Sequence, residues 1–320
     1  MKIDCIIIIL GEPYSTFSEI LGKYFSKKKK INKKIILIGN IKLFCNQLSK
    51  LNYKINLNII QDYVQAKKSV INIIDIDFKF RKIFSKVTRN SENYIEKSFN
   101  KGLSIIDNNH DKFLFINGPV SKKDFLKKKY YGITEYLSNK TRSKDEVMLI
   151  YNSMLSVSPI TTHIPIKNVA KNINKKIILN NVTKINNFYK AKLNKIPKFA
   201  ILGLNPHCET IDNFSEEDKI IKPAIKSLRN KKIKIEGPFS ADTFFIKKNI
   251  VNFDVVIGMY HDQVLTPIKT MYKFNAINIT VGLPFIRISP DHGPNTSMIG
   301  KNISDPSSFF YAMKFIDKLK

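Results

Sequence analysis

The N-terminal stretch Met1-Lys2-Ile3-Asp4-Cys5-Ile6-Ile7-Ile8-Ile9-Leu10-Gly11-Glu12-Pro13 decides the fold, and it has two readings. An apolar run behind a basic start can be a secretory signal. This run is too short for that, and Gly11-Glu12-Pro13 stands where a small-residue cleavage site belongs. The better reading is a buried strand over Ile6–Leu10, because no polar residue alternates through it and such strands are covered on both faces. The same kind of run recurs at Ile35–Ile38, Phe113–Ile116, Val147–Tyr151, Phe199–Leu202, Val255–Met259 and Ile277–Val281. Helix-period stretches lie between them, such as Asn90–Ile106 and Ser215–Lys231. The second opens Ser215-Glu216-Glu217-Asp218, a capping-box-like start whose acidic residues suit the positive end of a helix dipole. Strands alternating with helices predict an α/β protein with parallel strands.

At 320 residues and 43% hydrophobic, the chain can fill one large domain or two medium ones. An aromatic content of 11% excludes a disordered or collagen-like chain. No apolar run approaches the ~20 residues of a membrane helix. The cysteines Cys5, Cys45 and Cys208 have no paired spacing, which favours a reducing, cytoplasmic setting over a disulfide framework or a zinc ribbon. Asn168–Pro197, polar and rich in Lys and Asn, reads as helix and connector, not as a domain border.

Lys and Arg number 54 against 26 Asp and Glu, a net charge of +28 that raises nucleic-acid binding as a possibility. Most of the excess is Lys scattered among Ile and Asn, as an AT-rich coding sequence would produce. The clusters Lys27–Lys30 and Lys127–Lys129 are short and come with no helix-turn-helix, zinc or RNA-binding signature. The expectation is a solvated basic surface, no nucleic-acid partner and no membrane partner. A small anionic substrate fits the same charge.

Of the 5 histidines, His163, His207 and His261 each follow a strand-like run. Ligands of open parallel sheets collect beyond the carboxyl ends of strands, so these three rings can converge there as a divalent-metal site. The plainer role of any one of them is a loop or cap residue, and no HxxxH spacing decides between the two. Asp242, in the turn Gly237-Pro238-Phe239-Ser240-Ala241-Asp242-Thr243, either favours a helix dipole or belongs to a site. Arg287 follows the Pro-constrained turn Gly282-Leu283-Pro284-Phe285-Ile286, where a partly desolvated cation needs an anionic partner. There is no GxGxxG, Walker A or GxSxG motif.

Seven collinear segments then acquire a joint meaning. They are Asn117–Lys122 (NGPVSK), Gly132–Leu137 (GITEYL), Thr161–Lys167 (TTHIPIK), Gly203–Glu209 (GLNPHCE), Gly237–Phe245 (GPFSADTFF), Met259–Gln263 (MYHDQ) and Asn278–Gly293 (NITVGLPFIRISPDHG). Together they resemble the 4-hydroxythreonine-4-phosphate dehydrogenase family of vitamin B6 biosynthesis. The resemblance implies two α/β/α lobes with a central cleft, as in the isocitrate/isopropylmalate dehydrogenase group, and not a Rossmann dinucleotide fold. On that pattern the first lobe takes residues 1–125 plus 282–320, and the second takes 126–281. His163, His207 and His261 fall on the family's metal ligands, the metal being Zn, Mg, Co or Mn. Thr134, Lys269, Asn278 and Arg287 fall on its substrate contacts. NAD or NADP is the implied coenzyme, with the loop Asp291 to Gly300 facing it. The implied assembly is a homodimer with its sites at the subunit interface.

The implied reaction oxidises the C3 hydroxyl of 4-phosphooxy-L-threonine and releases CO2, giving 3-amino-2-oxopropyl phosphate. Asp242 is the candidate general base. The chain departs from the family pattern in three places. Ile133 replaces a histidine, Gly11–Glu19 replaces a glycine-rich loop, and Ser297 replaces an acidic residue. Two other readings stand beside the first: the same chemistry on threonate or erythronate phosphate, and a non-catalytic basic nucleic-acid-binding protein on this scaffold.

Overall fold

The computed structural model describes residues 3–27, 32–87, 89–106, 112–121, 125–126, 130, 132–211, 214–273, 275–290 and 295–319. The chain forms two compact units, Met1–Ser143 with Leu283–Leu319, and Lys144–Gly282.

In the first unit the strands are β1 (Cys5–Ile9), β2 (Lys34–Gly39), β3 (Leu57–Ile59), β4 (Ile71–Asp75), β5 (Phe113–Asn117) and β12 (Ile286–Ser289). They lie in the order β3-β4-β2-β1-β5-β12. Every described pairing among them is parallel, with Cys5 opposite both Lys34 and Phe113, and Ile286 opposite Leu114. The first strand is buried at every position, as an unbroken apolar run requires. Helices α1 (Phe17–Lys27), α2 (Ile41–Lys50), α3 (Glu92–Ile106), α4 (Ile133–Lys140) and α8 (Ser307–Ile316) belong to this unit.

Ile7, Ile9, Ile36 and Ile38 share one apolar cluster with Phe99 of α3 and Tyr136 and Leu137 of α4. Phe99 stacks on Phe125 and meets Tyr136 edge-on, with ring centroids 6.1 and 5.5 Å away. This packing draws α4 into the first unit, so the border falls at 143/144 and not at 125/126. The segment Gly11–Glu19 follows a path set by bulk. Tyr14 and Phe17 are buried, and Gly11, at φ +73°, passes so close to Pro119 that a Cβ would lie 2.4 Å from its carbonyl oxygen.

The second unit holds β6 (Val147–Tyr151), β7 (Ser156–Thr161), β8 (Lys198–Leu202), β9 (Lys234–Phe239), β10 (Val255–Tyr260) and β11 (Ile277–Val281), in the order β11-β6-β7-β10-β8-β9. Strands β7, β10, β8 and β9 pair in parallel. The expectation of uniformly parallel strands fails at β6, which runs antiparallel to both β7 and β11. Only a short turn separates β6 from β7, and a parallel crossover needs a dozen residues or more. The longer helices of this unit are α5 (Lys175–Leu193), α6 (Lys222–Asn230) and α7 (His261–Tyr272). No helix among the described residues is long and apolar enough to cross a membrane.

Candidate active site

Strand order in the second unit brings the three candidate histidines to one edge. His163 follows β7, His261 follows β10 and His207 follows β8, and these strands are immediate neighbours. Neighbouring strands lie about 4.8 Å apart, so the three segments leave the sheet within roughly 10 Å of one another. The Thr161 hydroxyl donates to the Met259 carbonyl at 2.8 Å, tying the ends of β7 and β10 together. The rings of His163 and His261 stand 5.9 Å apart between centroids. Nδ1 of His261 lies 2.6 Å from Asp262 Oδ1, which favours the tautomer with Nε2 left as a lone-pair donor.

His207 sits in a tight turn, Pro206–Cys208, with a left-handed backbone at φ +57°. Its Nδ1 is 3.8 Å from Oδ2 of Asp242. Asp242 accepts from the Ser240 hydroxyl at 2.6 Å. That bond, aided by backbone amides and the charge of His207, holds its carboxyl below the ordinary range.

The donor set suits a divalent ion. Imidazole suits Zn and Ni, and a metal-bound imidazole commonly has its other nitrogen hydrogen-bonded to a carboxylate, as His261 has to Asp262, whereas Asp242 lies 3.8 Å from His207, beyond hydrogen-bond reach. Among the described residues no three His, Cys, Asp or Glu side chains are already gathered as a metal cage. His163 pairs with His261, and His207 pairs with Asp242.

The first unit holds a second group. Arg287 on β12 is 3% exposed. Its Nε donates to Asn117 Oδ1 at 2.9 Å, and its Nη1 to Thr134 Oγ1 at 2.8 Å. The pairing of β12 with β5 sets this up, since Arg287 lies opposite Phe115, close to the end of the strand that Asn117 terminates. Burial pushes the guanidinium down to about 10, against the favourable field of Glu135, and leaves it a cation at neutral pH. Thr134 lies in the first turn of α4, where backbone amides and the helix dipole add positive potential. A buried arginine at a helix N-terminus is an arrangement for an anion such as phosphate or carboxylate.

Ile133, the first residue of α4, packs against the apolar cluster of this unit. Asn117 directly follows the run Phe113–Ile116 and opens the segment NGPVSK, and its part in holding Arg287 has no local sequence signal. Lys269 is exposed in the last turn of α7, roughly 12 Å along the axis from His261. Asn278 is half-buried on β11. Of the loop Asp291 to Gly300, Asp291–Pro294 lie outside the described residues. Asn295, Thr296 and Ser297 are exposed, and residues 295–300 include no acidic side chain. Their amide and hydroxyl groups can hydrogen-bond a nucleotide, without the carboxylate that usually reads a ribose.

The elements form an α/β protein whose fold is isocitrate dehydrogenase-like. Isocitrate dehydrogenase from Methylococcus capsulatus superposes with a TM-score of 0.50 at 9% identity, covering 98% of this chain and 84% of that one, a likeness of fold alone. More narrowly, the chain belongs to the PdxA family, described as "Pyridoxal phosphate biosynthetic protein PdxA", whose model matches residues 31–316. The chain is 38% identical to a 4-hydroxythreonine-4-phosphate dehydrogenase from Sulfurihydrogenibium sp. (strain YO3AOP1), over 98% of this chain and 97% of the relative. The crystal structure of 4-hydroxythreonine-4-phosphate dehydrogenase from Klebsiella pneumoniae is similar too, with a TM-score of 0.83, 25% identity and 98% coverage of each chain.

Proposed function

We propose that the chain is an NAD(P)-linked, divalent-metal-dependent dehydrogenase of pyridoxal phosphate biosynthesis. Its substrate is 4-phosphooxy-L-threonine, oxidised at the C3 hydroxyl and decarboxylated to 3-amino-2-oxopropyl phosphate. The observation that carries the reading is the emergence of His163, His261 and His207 from three adjacent strand ends. Near-full-length similarity to dehydrogenases of that name supports it.

In this reading His163, His207 and His261 hold the metal. When bound, the metal supplies Lewis acidity toward the substrate oxygens, and the nicotinamide supplies a hydride acceptor. The chain's own residues do the rest. Asp262 holds the His261 ring with Nε2 available. Asp242, held below its ordinary range and 3.8 Å from Nδ1 of His207, supplies negative charge beside that ring. Arg287 and Thr134 bind and orient an anionic group of the substrate. Lys269 supplies further positive charge and Asn278 a hydrogen-bonding amide. The working form is a cytoplasmic homodimer with its sites at the subunit interface.

Ile133 favours a second reading, in which the same chemistry acts on threonate or erythronate phosphate. An apolar side chain committed to packing cannot hydrogen-bond or charge-pair with a substrate group. A panel of the three phosphorylated acids, each assayed with NAD and with NADP, separates them. Highest kcat/KM on 4-phosphooxy-L-threonine supports the first, and turnover confined to another acid replaces it with the second.

A further inference from the structure

The loop that carries His207 is held by two side chains outside the three histidines, Glu217 and Gln263. Glu217 is wholly buried, at 0% exposure. Its Oε1 accepts from the backbone N–H of Leu204 at 2.7 Å and of Asn205 at 2.9 Å. Its Oε2 accepts from Asn205 Nδ2 at 2.9 Å and from the Ser215 hydroxyl at 3.3 Å. Both oxygens are thereby satisfied, which is what a buried carboxylate needs to remain charged. Glu217 also opens a π-helical turn, Glu217–Ile221, ahead of α6, and such turns recur at functional sites.

Gln263 makes the complementary link. Its Oε1 accepts from Met259 N at 2.6 Å, and its Nε2 donates to the Gly203 carbonyl at 2.8 Å. One amide thus joins the end of β10, just before His261, to the start of the loop that leads to His207. Side chains of the loop and of Glu217 crowd Gly203. A Cβ on Gly203 would lie 2.7 Å from Cys208 Sγ and 3.1 Å from Glu217 Oε1.

The turn held this way is strained. His207 and Cys208 are consecutive non-glycine residues in the left-handed region, at φ +57° and +63°. Such conformations persist where the surroundings over-determine them, and they cluster at ligand clamps. The four hydrogen bonds of Glu217 and the bridge of Gln263 supply that constraint.

We propose that Glu217 and Gln263 are positioning residues, fixing the His207 turn against the His261 helix end so that the two imidazoles can share one metal ion. The proposal rests on the metal-binding reading given above. It is tested by titrating chelator-stripped, full-length protein with Co2+ and following the visible absorption of the bound ion. Wild type, Glu217→Gln, Gln263→Ala and a control, Glu236→Gln, are compared. Glu236 lies on β9 with its carboxylate 2.8 Å from Lys198 Nζ.

The expected result is a Co2+ Kd raised about 10- to 100-fold in the Glu217 and Gln263 variants, as for other groups that orient metal ligands, and unchanged in the control. Thermal unfolding of each variant separates this from loss of fold. If Glu217→Gln does not fold, Gln263→Ala carries the test alone. Wild-type affinity in both folded variants overturns the proposal. A wild type that takes up no Co2+ overturns the metal reading and the proposal together, and the wild-type titration distinguishes that failure from the first.

Discussion

Arg287 Nη1 donates to the Thr134 hydroxyl at 2.8 Å, joining β12 to the first turn of α4. The hydroxyl oxygen accepts, so its own proton is directed elsewhere and is available to an anion bound at the helix end. The guanidinium is also held through Nε by Asn117 at 2.9 Å. A planar cation fixed from two sides presents charge in a set orientation, which a flexible ammonium cannot do.

Arg287→Lys therefore keeps the charge and loses the fork. The expected effect is a drop in kcat/KM of roughly thirtyfold, equivalent to about 2 kcal/mol for hydrogen bonds to a charged group. Steady-state kinetics check it, and an unchanged kcat/KM would remove Arg287 from substrate binding.

Thr134→Val keeps shape and removes the acceptor of Arg287 Nη1. A buried N–H left without its partner costs about 1–3 kcal/mol. Urea unfolding of the variant should show that loss, with kcat/KM falling in parallel. A variant as stable and as active as wild type would contradict the role.

Ile133→His introduces the imidazole that the family pattern carries. If 4-phosphooxy-L-threonine is the substrate, the added donor is expected to lower KM by up to about tenfold, the worth of one hydrogen bond. A rise in KM would show that the apolar packing of Ile133 matters more to this site than a polar contact.

The stability conferred by Glu217 depends on pH in a defined sense. Burial alone would raise its carboxyl, but hydrogen bonds from Asn205, Leu204 and its own backbone outweigh burial and hold it below its ordinary 4.5. A group depressed in the folded state contributes its full stability above the unfolded value and loses it as pH falls through the folded value. The stability gap between wild type and Glu217→Gln should thus be constant above pH 4.5 and close below it. Urea unfolding at a series of pH values measures the gap, and a gap that widens on acidification would contradict this.

Much of this architecture was legible because burial on both faces leaves a plain mark. All seven runs read as strands are strands, from Cys5–Ile9 to Ile277–Val281. Of the five described strands not read, Ile71–Asp75 is as apolar as those that were and Ser156–Thr161 is interrupted by Pro159, while the other three have weaker marks. Ile286–Ser289 carries Arg287 in its middle, Lys234–Phe239 contains Gly237 and Pro238, and Leu57–Ile59 is too short to show a pattern. The direction of β6 was hidden because apolar content says nothing of polarity along the chain.

At the site, β5–β12 register brings Arg287 to Asn117, and the contact with Thr134 on α4 joins residues 153 apart in the chain, which no local sequence pattern shows. Glu217 carries a second role that its place at a helix start does not show. In Ser215-Glu216-Glu217-Asp218 the Ser215 hydroxyl does accept from Asp218 N, at 3.3 Å. Glu217 also turns inward, to the backbone N–H groups of Leu204 and Asn205 in the loop before it.

The central claim is metal-dependent oxidation of 4-phosphooxy-L-threonine, and the most direct measurement is NAD(P)H formation with that substrate. It is run on chelator-treated protein, with and without added divalent metal, beside His207→Ala. The account predicts turnover that disappears on chelation, returns with metal and is lost in the variant. No turnover with either coenzyme in folded, metal-replete protein would contradict it.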